Sequence, residues 1–492
     1  MDALPLFTPS LEVDIFDWSI VIILFLIDLA VRIWLIIYIP KDRKPTAATA
    51  WLLLIALLPF FGAALFFIIG NTKLSKKRRN EQVRINQHLA KYTENIRSQG
   101  LTATIPAPFD TSAKLSEALT KLAPTSGNAV EVLTGYDELI EGITAAVNRA
   151  EHYVYVEFYI LALDAATEPF FKALEKAVQR GVAVHVLFDA YGSYKLPRRK
   201  EMAARLTAMG AEWHKILPFS LNYKKYNRPD LCNHRKIVVV DNTDAFIGSL
   251  NMIEKTYNRK DSISYIELAA HLQGPSVNEA AAVFASDWYS ETGVLLDEFM
   301  LNSAPSKKGS AAVQLVPSGP AYPHENNLKL FNALIQNART SVVITNPYLV
   351  PDESLLGALI TAAQRGVHVS ILNSQAIDQW MAAHAQRSYY DELISAGVEI
   401  HLYKKPQLVH EKFMSIDDAV GVIGSSNLDI RSFELNLECV VVAYDQKTAI
   451  TLHERHEELL KNSRKITLAT WRKRSTWRSF LDSIARLTSA LQ

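Results

Sequence analysis

Cysteine is almost missing: Cys232 and Cys439 are the only two in 492 residues. Two thiols so far apart make neither a disulfide framework nor a four-ligand zinc site, so both read as reduced, buried groups. A surplus of charge is missing too. Against 52 basic residues stand 51 acidic ones, and the net charge of +1 supplies no whole-chain field to draw the protein to nucleic acid. Any electrostatic partner must be recruited by local patches. The hydrophobic share of 49% is ordinary, but its distribution is not, because two long apolar runs stand together near the N-terminus.

From Trp18 to Ile39 only Asp28 and Arg32 are charged, and 22 residues of helix reach about 33 Å, enough to cross a bilayer core. Asp28 and Arg32 lie four apart and share a helix face, so they can pair in lipid. After the polar turn Lys41 to Pro45, the run Thr46 to Ile69 carries no charged side chain. A cleaved signal peptide would have a basic start, whereas Asp2, Glu12, Asp14 and Asp17 precede the first run. The expectation is a membrane anchor over 1–72 that forms a two-helix transmembrane hairpin, with helices at about 18–39 and 46–69. Lys73, Lys76, Lys77, Arg78, Arg79 and Arg84 favour cytoplasmic ends and a multi-pass protein of a bacterial inner membrane. A re-entrant hairpin, turned at Pro59 and Gly62, is the alternative.

Beyond a basic connector at 73–128, one domain type is written twice. Ala177, Gln179, Arg180, Gly181, Val182, Val184 and Leu187 return 185 residues later as Ala362, Gln364, Arg365, Gly366, Val367, Val369 and Leu372. Each copy alternates helical stretches with apolar strands, which implies an α/β class with a mixed sheet flanked by helices. The copies occupy 129–302 and 311–462, separated by a linker at 303–310. After Lys461, basic residues interleave with Trp471, Trp477, Phe480 and Leu481. That texture, over 463–492, suits an interfacial amphipathic helix or a plain docking helix.

Within each copy lies one constellation. His234, Lys236, Asp241, Gly248, Ser249 and Asn251 match His410, Lys412, Asp417, Gly424, Ser425 and Asn427 at identical internal spacing, 176 residues apart. Coincidence cannot produce twelve such positions. A lone histidine is ordinarily a satisfied core or surface residue, so His214, His324 and His368 receive no role. Each motif His and Lys are two apart on a strand and leave the same face. Two histidines, two lysines and the neutral donors Ser249, Asn251, Ser425 and Asn427 describe a phosphate cradle, provided the halves face each other across a pseudo-twofold axis.

One neutral imidazole can attack phosphorus while the other, protonated, serves the leaving oxygen and then the incoming hydroxyl. This scheme calls for no metal and no cofactor. Each imidazole needs a partner on its far nitrogen, and aligning Ile266-Glu267-Leu268 with Leu437-Glu438-Cys439 nominates Glu267 for one and Glu438 for the other. Asp241 and Asp417 complete the catalytic motif, yet each ends a strand at a turn, where a structural role is the better reading.

The paired motif resembles the signature of the phospholipase D superfamily. The membrane runs, Tyr155-Val156-Glu157-Phe158-Tyr159, Pro347 to Ser354, and Asp429-Ile430-Arg431-Ser432-Phe433 are similar to those of bacterial cardiolipin synthases. The resemblance implies two tandem phospholipase D-like domains and transfer of a phosphatidyl group between two phosphatidylglycerol molecules, giving cardiolipin and glycerol. It implies His234 as nucleophile and His410 as acid and base, although the repeat permits either order. The implied partners are phosphatidylglycerol and membrane phospholipid, not nucleic acid. A hydrolytic phospholipase D, or a transferase using another lipid such as phosphatidylethanolamine, would carry the same motifs. A superfamily nuclease lacks a strong basic groove here, and a non-enzymatic scaffold sits badly with an intact double motif.

Overall fold

The computed structural model describes residues 15–71, 73–194, 196–219, 227–257, 263–296 and 306–489, in two compact units, Met1–Thr72 and Lys73–Gln492. The expected linker residues 303–305 and the basic loop at Lys224, Lys225 and Tyr226 lie outside the described residues.

The first unit holds α1 (Ile15–Tyr38), α2 (Pro45–Leu57) and α3 (Pro59–Ile69). One apolar stretch, Trp18–Lys41, is long enough to span a bilayer, and within it Arg32 pairs with Asp28 at 2.7 Å. The second run differs from the uninterrupted helix expected at 46–69. Pro59 lacks an N–H and forces the residue before it out of the helical region; Leu58 accordingly sits at φ −131° and ψ 76°. The chain then folds back. A Cβ on Gly62 would lie 2.9 Å from the Cα of Ile55, whereas one straight helix would separate residues seven apart by about 10 Å. The ends of the run also meet, because Arg43 donates to the carbonyl of Gly70 at 3.2 Å and lies over the Phe66 ring. Arms of 13 and 11 residues reach about 20 and 17 Å, short of a hydrocarbon core of about 30 Å. Among its described residues the anchor therefore has one helix of spanning length and a folded-back pair in place of the expected second span.

In the second unit, α4 (Lys76–Ser98) and α5 (Asp110–Thr120) lead into the first half. That half runs β1 (Thr125–Thr134), α6 (Tyr136–Arg149), β2 (Tyr153–Phe158), α7 (Glu168–Gln179), β3 (Ala183–Asp189), α8 (Arg199–Met209), β4 (Glu212–Ile216), β5 (Lys236–Val240), β6 (Asp244–Gly248), β7 (Ser264–Ile266), β8 (Leu268–Gln273) and α9 (Ser276–Thr292). The second half begins with β9 (Ala311–Ser318), α10 (Asn326–Asn337), β10 (Ser341–Thr345), β11 (Leu349–Val350), α11 (Glu353–Gln364), β12 (His368–Ser374) and α12 (Trp380–Ser395). It continues through β13 (Glu399–Tyr403), β14 (Gln407–Val409), β15 (Phe413–Ile416), β16 (Val420–Gly424), β17 (Leu428–Asp429), α13 (Ile430–Glu434), β18 (Glu438–Tyr444) and α14 (Gln446–Leu460). The tail adds β19 (Ser463–Ile466), α15 (Leu468–Trp471) and α16 (Thr476–Leu487).

Fifteen strands form one mixed sheet in the order β19-β13-β12-β10-β15-β16-β18-β9-β1-β8-β6-β5-β2-β3-β4. Apart from β19, the order reads alike from both ends, and the antiparallel pair β1 and β9 is the seam between the halves. Strands such as Lys236-Ile-Val-Val-Val are buried along their whole length, as a sheet covered on both faces requires. One apolar core lies against α6 and α7, another against α10, α11 and α12, and a third under α4 and α9 draws side chains from both halves.

Residues 73–128 are not a connector. Ile85, Leu89, Tyr92 and Ile96 recur on one face of α4 and are buried in the core shared by the halves, while Phe109, just before α5, and Ala113 within it join the second half's core. Helical periodicity that many charges obscured is the reason. The tail is built in as well. Its β19 pairs antiparallel with β13, and α16 lies on α12, where Asp482 accepts from His384 at 2.7 Å.

Candidate functional site

The two halves meet through crossed strand segments. Short β14, which leads into His410, pairs in parallel with β7, which leads into Glu267; a parallel bridge from Asn233 to Leu437 does the same for His234 and Glu438. His234 N–H donates to the carbonyl of Leu437 and His410 N–H to that of Ile266, each at 2.8 Å. Each histidine is thereby registered against the glutamate of the opposite half. His234 Nδ1 lies 3.0 Å from Glu438 Oε1 and 3.1 Å from the carbonyl of Ser425, and His410 Nδ1 lies 2.9 Å from Glu267 Oε1. Carboxylate and carbonyl oxygens only accept, so Nδ1 carries the proton and a neutral ring leaves Nε2 with its lone pair.

All four motif cations and bases are buried. Lys236 Nζ donates to the carbonyl of His234 and Lys412 Nζ to that of His410, both at 2.7 Å. Burial pushes Lys236 down to about 7 and Lys412 down to about 8, against the carboxylates of Glu438 and Glu267. Burial first, then the ammonium groups of Lys236 and Lys412, hold His234 well below the usual imidazole value. His410 is also lowered by burial, but Glu267 is the next influence and opposes it. Burial lifts Glu438 to about 7 against the pull of Lys236. Tyr159 stands edge-on to His234 and Tyr265 to His410, with ring centres 5.1 and 5.4 Å apart.

Ser249 and Ser425 do not face this cluster as phosphate donors. Their hydroxyls donate to Glu267 and Glu438 and accept the N–H of Leu268 and Cys439. Each serine thus fixes the carboxylate that fixes the other half's histidine. The preceding glycines explain how. A Cβ on Gly248 would fall 2.3 Å from the Leu268 carbonyl and one on Gly424 2.4 Å from that of Cys439, so β6 and β16 press on the glutamate strands only because Cβ is absent. Asn251 and Asn427 keep a buried amide oxygen with no protein partner among the described residues. That oxygen can only accept, so a phosphate oxygen would be met by the Nδ2 group of each amide.

Asp241 and Asp417 lie away from the cluster. Five residues of β5 put Asp241 about 16 Å beyond Lys236, at a left-handed φ of 49°. Its carboxylate accepts the N–H groups of Glu151, His152 and Tyr153 at 3.0, 2.9 and 2.8 Å. Asp417 accepts those of Arg339, Thr340 and Ser341 at 2.8, 2.7 and 2.9 Å. Both hold the start of the neighbouring strand, and neither can touch a phosphorus atom between the histidines.

The motif analysis missed the residues that brace the histidine segments. Asp189 accepts the N–H of Asn233 at 2.7 Å, and Ser374 accepts that of Val409 at 2.8 Å. These two residues stand 185 apart, so extending the repeat past Leu187 would have exposed them. Between each His and Lys lies a buried charge of opposite sign in the two halves: Arg235 pairs with Asp287 of α9, and Glu411 with Arg455 of α14 at 2.6 Å. A cavity of about 530 Å³ opens beside His234, lined among others by Tyr159, Asn427, Asp429, Arg431 and Asn436.

Two half-sheets seamed at their centre, with crossed His and Glu pairs and two buried lysines, define an enzyme of the phospholipase D type. The family described as "Cardiolipin synthase, PLD-like domain" matches residues 143–288 and 331–460, and "Phospholipase_D-nuclease N-terminal" matches 30–71. A Cardiolipin synthase A from Pectobacterium carotovorum is 30% identical over 458 residues, 92% of this chain and 94% of that one. One from Klebsiella pneumoniae matches at 30% over the same shares. Among solved structures, the phosphatidylserine synthase of Haemophilus influenzae aligns with a TM-score of 0.58 at 15% identity, covering 78% of this chain and 100% of that one. The chain belongs to the cardiolipin synthase family of the phospholipase D superfamily.

Proposed function

We propose that the protein transfers a phosphatidyl group from one phosphatidylglycerol to a free hydroxyl of another, giving cardiolipin and glycerol. The observation that carries this reading is the pair of crossed contacts, His234 with Glu438 and His410 with Glu267, beside Lys236 and Lys412. Nε2 of His234 attacks phosphorus, and the bond from phosphorus to the glycerol oxygen breaks as His410 gives that oxygen its proton. In the second step the acceptor hydroxyl returns a proton to His410 while its oxygen attacks phosphorus and the bond to His234 breaks. Lys236, Lys412, Asn251 and Asn427 bind the non-bridging oxygens through both steps.

The order of roles rests on electrostatics. Burial lowers both rings, but His234, where both lysines add to burial, is held well below its usual value, as a neutral nucleophile needs, whereas at His410 the carboxylate of Glu267 opposes the fall without reversing it. The equivalent strand orders support a pseudo-twofold axis through the seam of β1 and β9. The anchor supports a topology in which α1 spans the membrane and α2 with α3 dips in and returns. The basic residues from Lys73 to Arg84 then hold the catalytic unit at the cytoplasmic face.

The test incubates purified protein in detergent with labelled phosphatidylglycerol, beside His234→Ala and His410→Ala. Cardiolipin and glycerol from the parent protein alone are expected; phosphatidic acid would overturn the transferase in favour of a hydrolase.

A further inference from the structure

Helix α16 is mounted with its faces reversed. Its buried side carries Asp482 and Ala485, and Asp482 is held by His384 at 2.7 Å and by Arg474 at 2.5 Å. Its outer side carries Trp477, Phe480, Ile484 and Leu487, which are 66%, 52%, 46% and 82% exposed. A helix serving only to close a water-soluble core turns such a stripe inward. Here polar contacts to α12 fix the helix so that the stripe faces out.

The apolar surface continues towards the active site. Trp380 and Met381, which open α12, are 61% and 43% exposed. The Trp380 ring packs on His384, the residue that holds Asp482, with ring centres 4.4 Å apart. The residue before it, Gln379, lines the cavity beside His234. Tyr191, on the corresponding loop of the first half, also lines that cavity and is 58% exposed. Exposed aromatic and aliphatic groups thus reach the lip of the cavity. Lys473 and Arg478 stand exposed around the stripe, and Arg486 beside it pairs with Glu392 at 3.6 Å, so cations flank the apolar groups.

We propose that α16 and the opening turn of α12 form a docking surface for an anionic phospholipid bilayer, entering it to headgroup depth and bringing the cavity mouth to the lipid. The proposal rests on the reading that the site takes phospholipids, whose acyl chains remain in the bilayer while the phosphodiester must reach His234. Aromatic rings at headgroup depth with lysine and arginine around them match the chemistry of that zone. Charge complementarity to anionic headgroups selects a bilayer over a second copy, which would set these cations against each other.

Two measurements on the full chain test it, both in vesicles of phosphatidylglycerol and phosphatidylcholine. A nitroxide on Ile484→Cys, with Ile450→Cys at an exposed position of α14 as reference, reports collision with oxygen and with a water-soluble nickel chelate; Cys232 and Cys439 are buried. High oxygen and low nickel accessibility at 484 alone is expected, and equal nickel accessibility at both sites overturns the proposal. Spin–spin broadening between labels at 484 overturns it too, in favour of a contact between copies. The triple variant Trp477→Ser, Phe480→Ser, Leu487→Ser should lose at least about tenfold of its activity on vesicle lipid and stay within about twofold on a short-chain, monomeric phosphatidylglycerol. Equal losses on both substrates would make α16 merely structural. A parent protein inactive on both, with the label still in the bilayer, would sink the catalytic reading and leave the docking surface standing.

Discussion

Glu438 opens a strand of the second half and holds Nδ1 of His234 in the first, 3.0 Å away, while Glu267 holds His410 in the reverse direction. Neither motif histidine is held by a glutamate of its own half, so a glutamate change acts on the step run by the other half's histidine. Glu438→Gln can turn an amide N–H towards Nδ1 and favour the wrong tautomer, costing about 10²- to 10⁴-fold in rate. In a single turnover with labelled donor, Glu438→Gln should slow formation of the phosphohistidine. Glu267→Gln should slow that step, in which glycerol leaves, and acceptor attack as well. With a nitrophenyl leaving group that needs no proton, Glu267→Gln alone should recover formation of the phosphohistidine, and recovery in Glu438→Gln instead would reverse the roles of the two histidines.

Ser425 separates orientation from phosphate binding. Its hydroxyl is spent on Glu438 and on the N–H of Cys439, so Ser425→Ala should lower kcat by about tenfold, one hydrogen bond to a charged group, and leave KM unchanged. Inhibition by inorganic phosphate should be kept in Ser425→Ala and weakened in Asn427→Ala and Lys412→Ala. Equal loss of phosphate inhibition in all three would return the serine to the phosphate.

Strand spacing made the double motif legible, because alternation sends His and Lys to one face whatever surrounds them. The same spacing says nothing about which glutamate meets which histidine, since that depends on β14 pairing with β7 across the halves. Ser249 and Ser425 were misread for a related reason: a hydroxyl after a glycine looks free until the glycine's close approach to the next strand is seen. In α4, Ile85, Leu89, Tyr92 and Ile96 were present at helical spacing, masked by basic and amide residues between them. The break in the second apolar run was written in Pro59 and Gly62, but hydropathy alone weighs length and not backbone geometry.

Asp241 should matter for folding and little for turnover. Asp241→Ala removes the acceptor of three N–H groups at the start of β2 and puts alanine at a φ of 49°, a loss of about 2–4 kcal/mol. Thermal melting of the variant should fall by several degrees while kcat, measured well below the transition, stays within about twofold. A large loss of kcat in a protein that melts normally would return Asp241 to the chemistry.

The buried lysines set the pH range of catalysis. Lys236, pushed down to about 7, and Lys412, down to about 8, are cations only below those values, so their hold on an anionic phosphodiester is lost as pH rises through 7 to 8. Glu438, lifted to about 7, is a carboxylate only above that value, so its hold on His234 is lost as pH falls through 7. The dependence of kcat/KM on pH should therefore be a narrow bell centred near about 7. Lys236→Arg distinguishes the limbs, because guanidinium stays charged at every pH of the assay. The variant should lose absolute rate to the changed geometry, yet its alkaline limb should move upward while its acid limb stays in place. An unmoved alkaline limb would assign it to Lys412 alone, and a shifted acid limb would mean that Lys236, not Glu438, governs the charge state of His234.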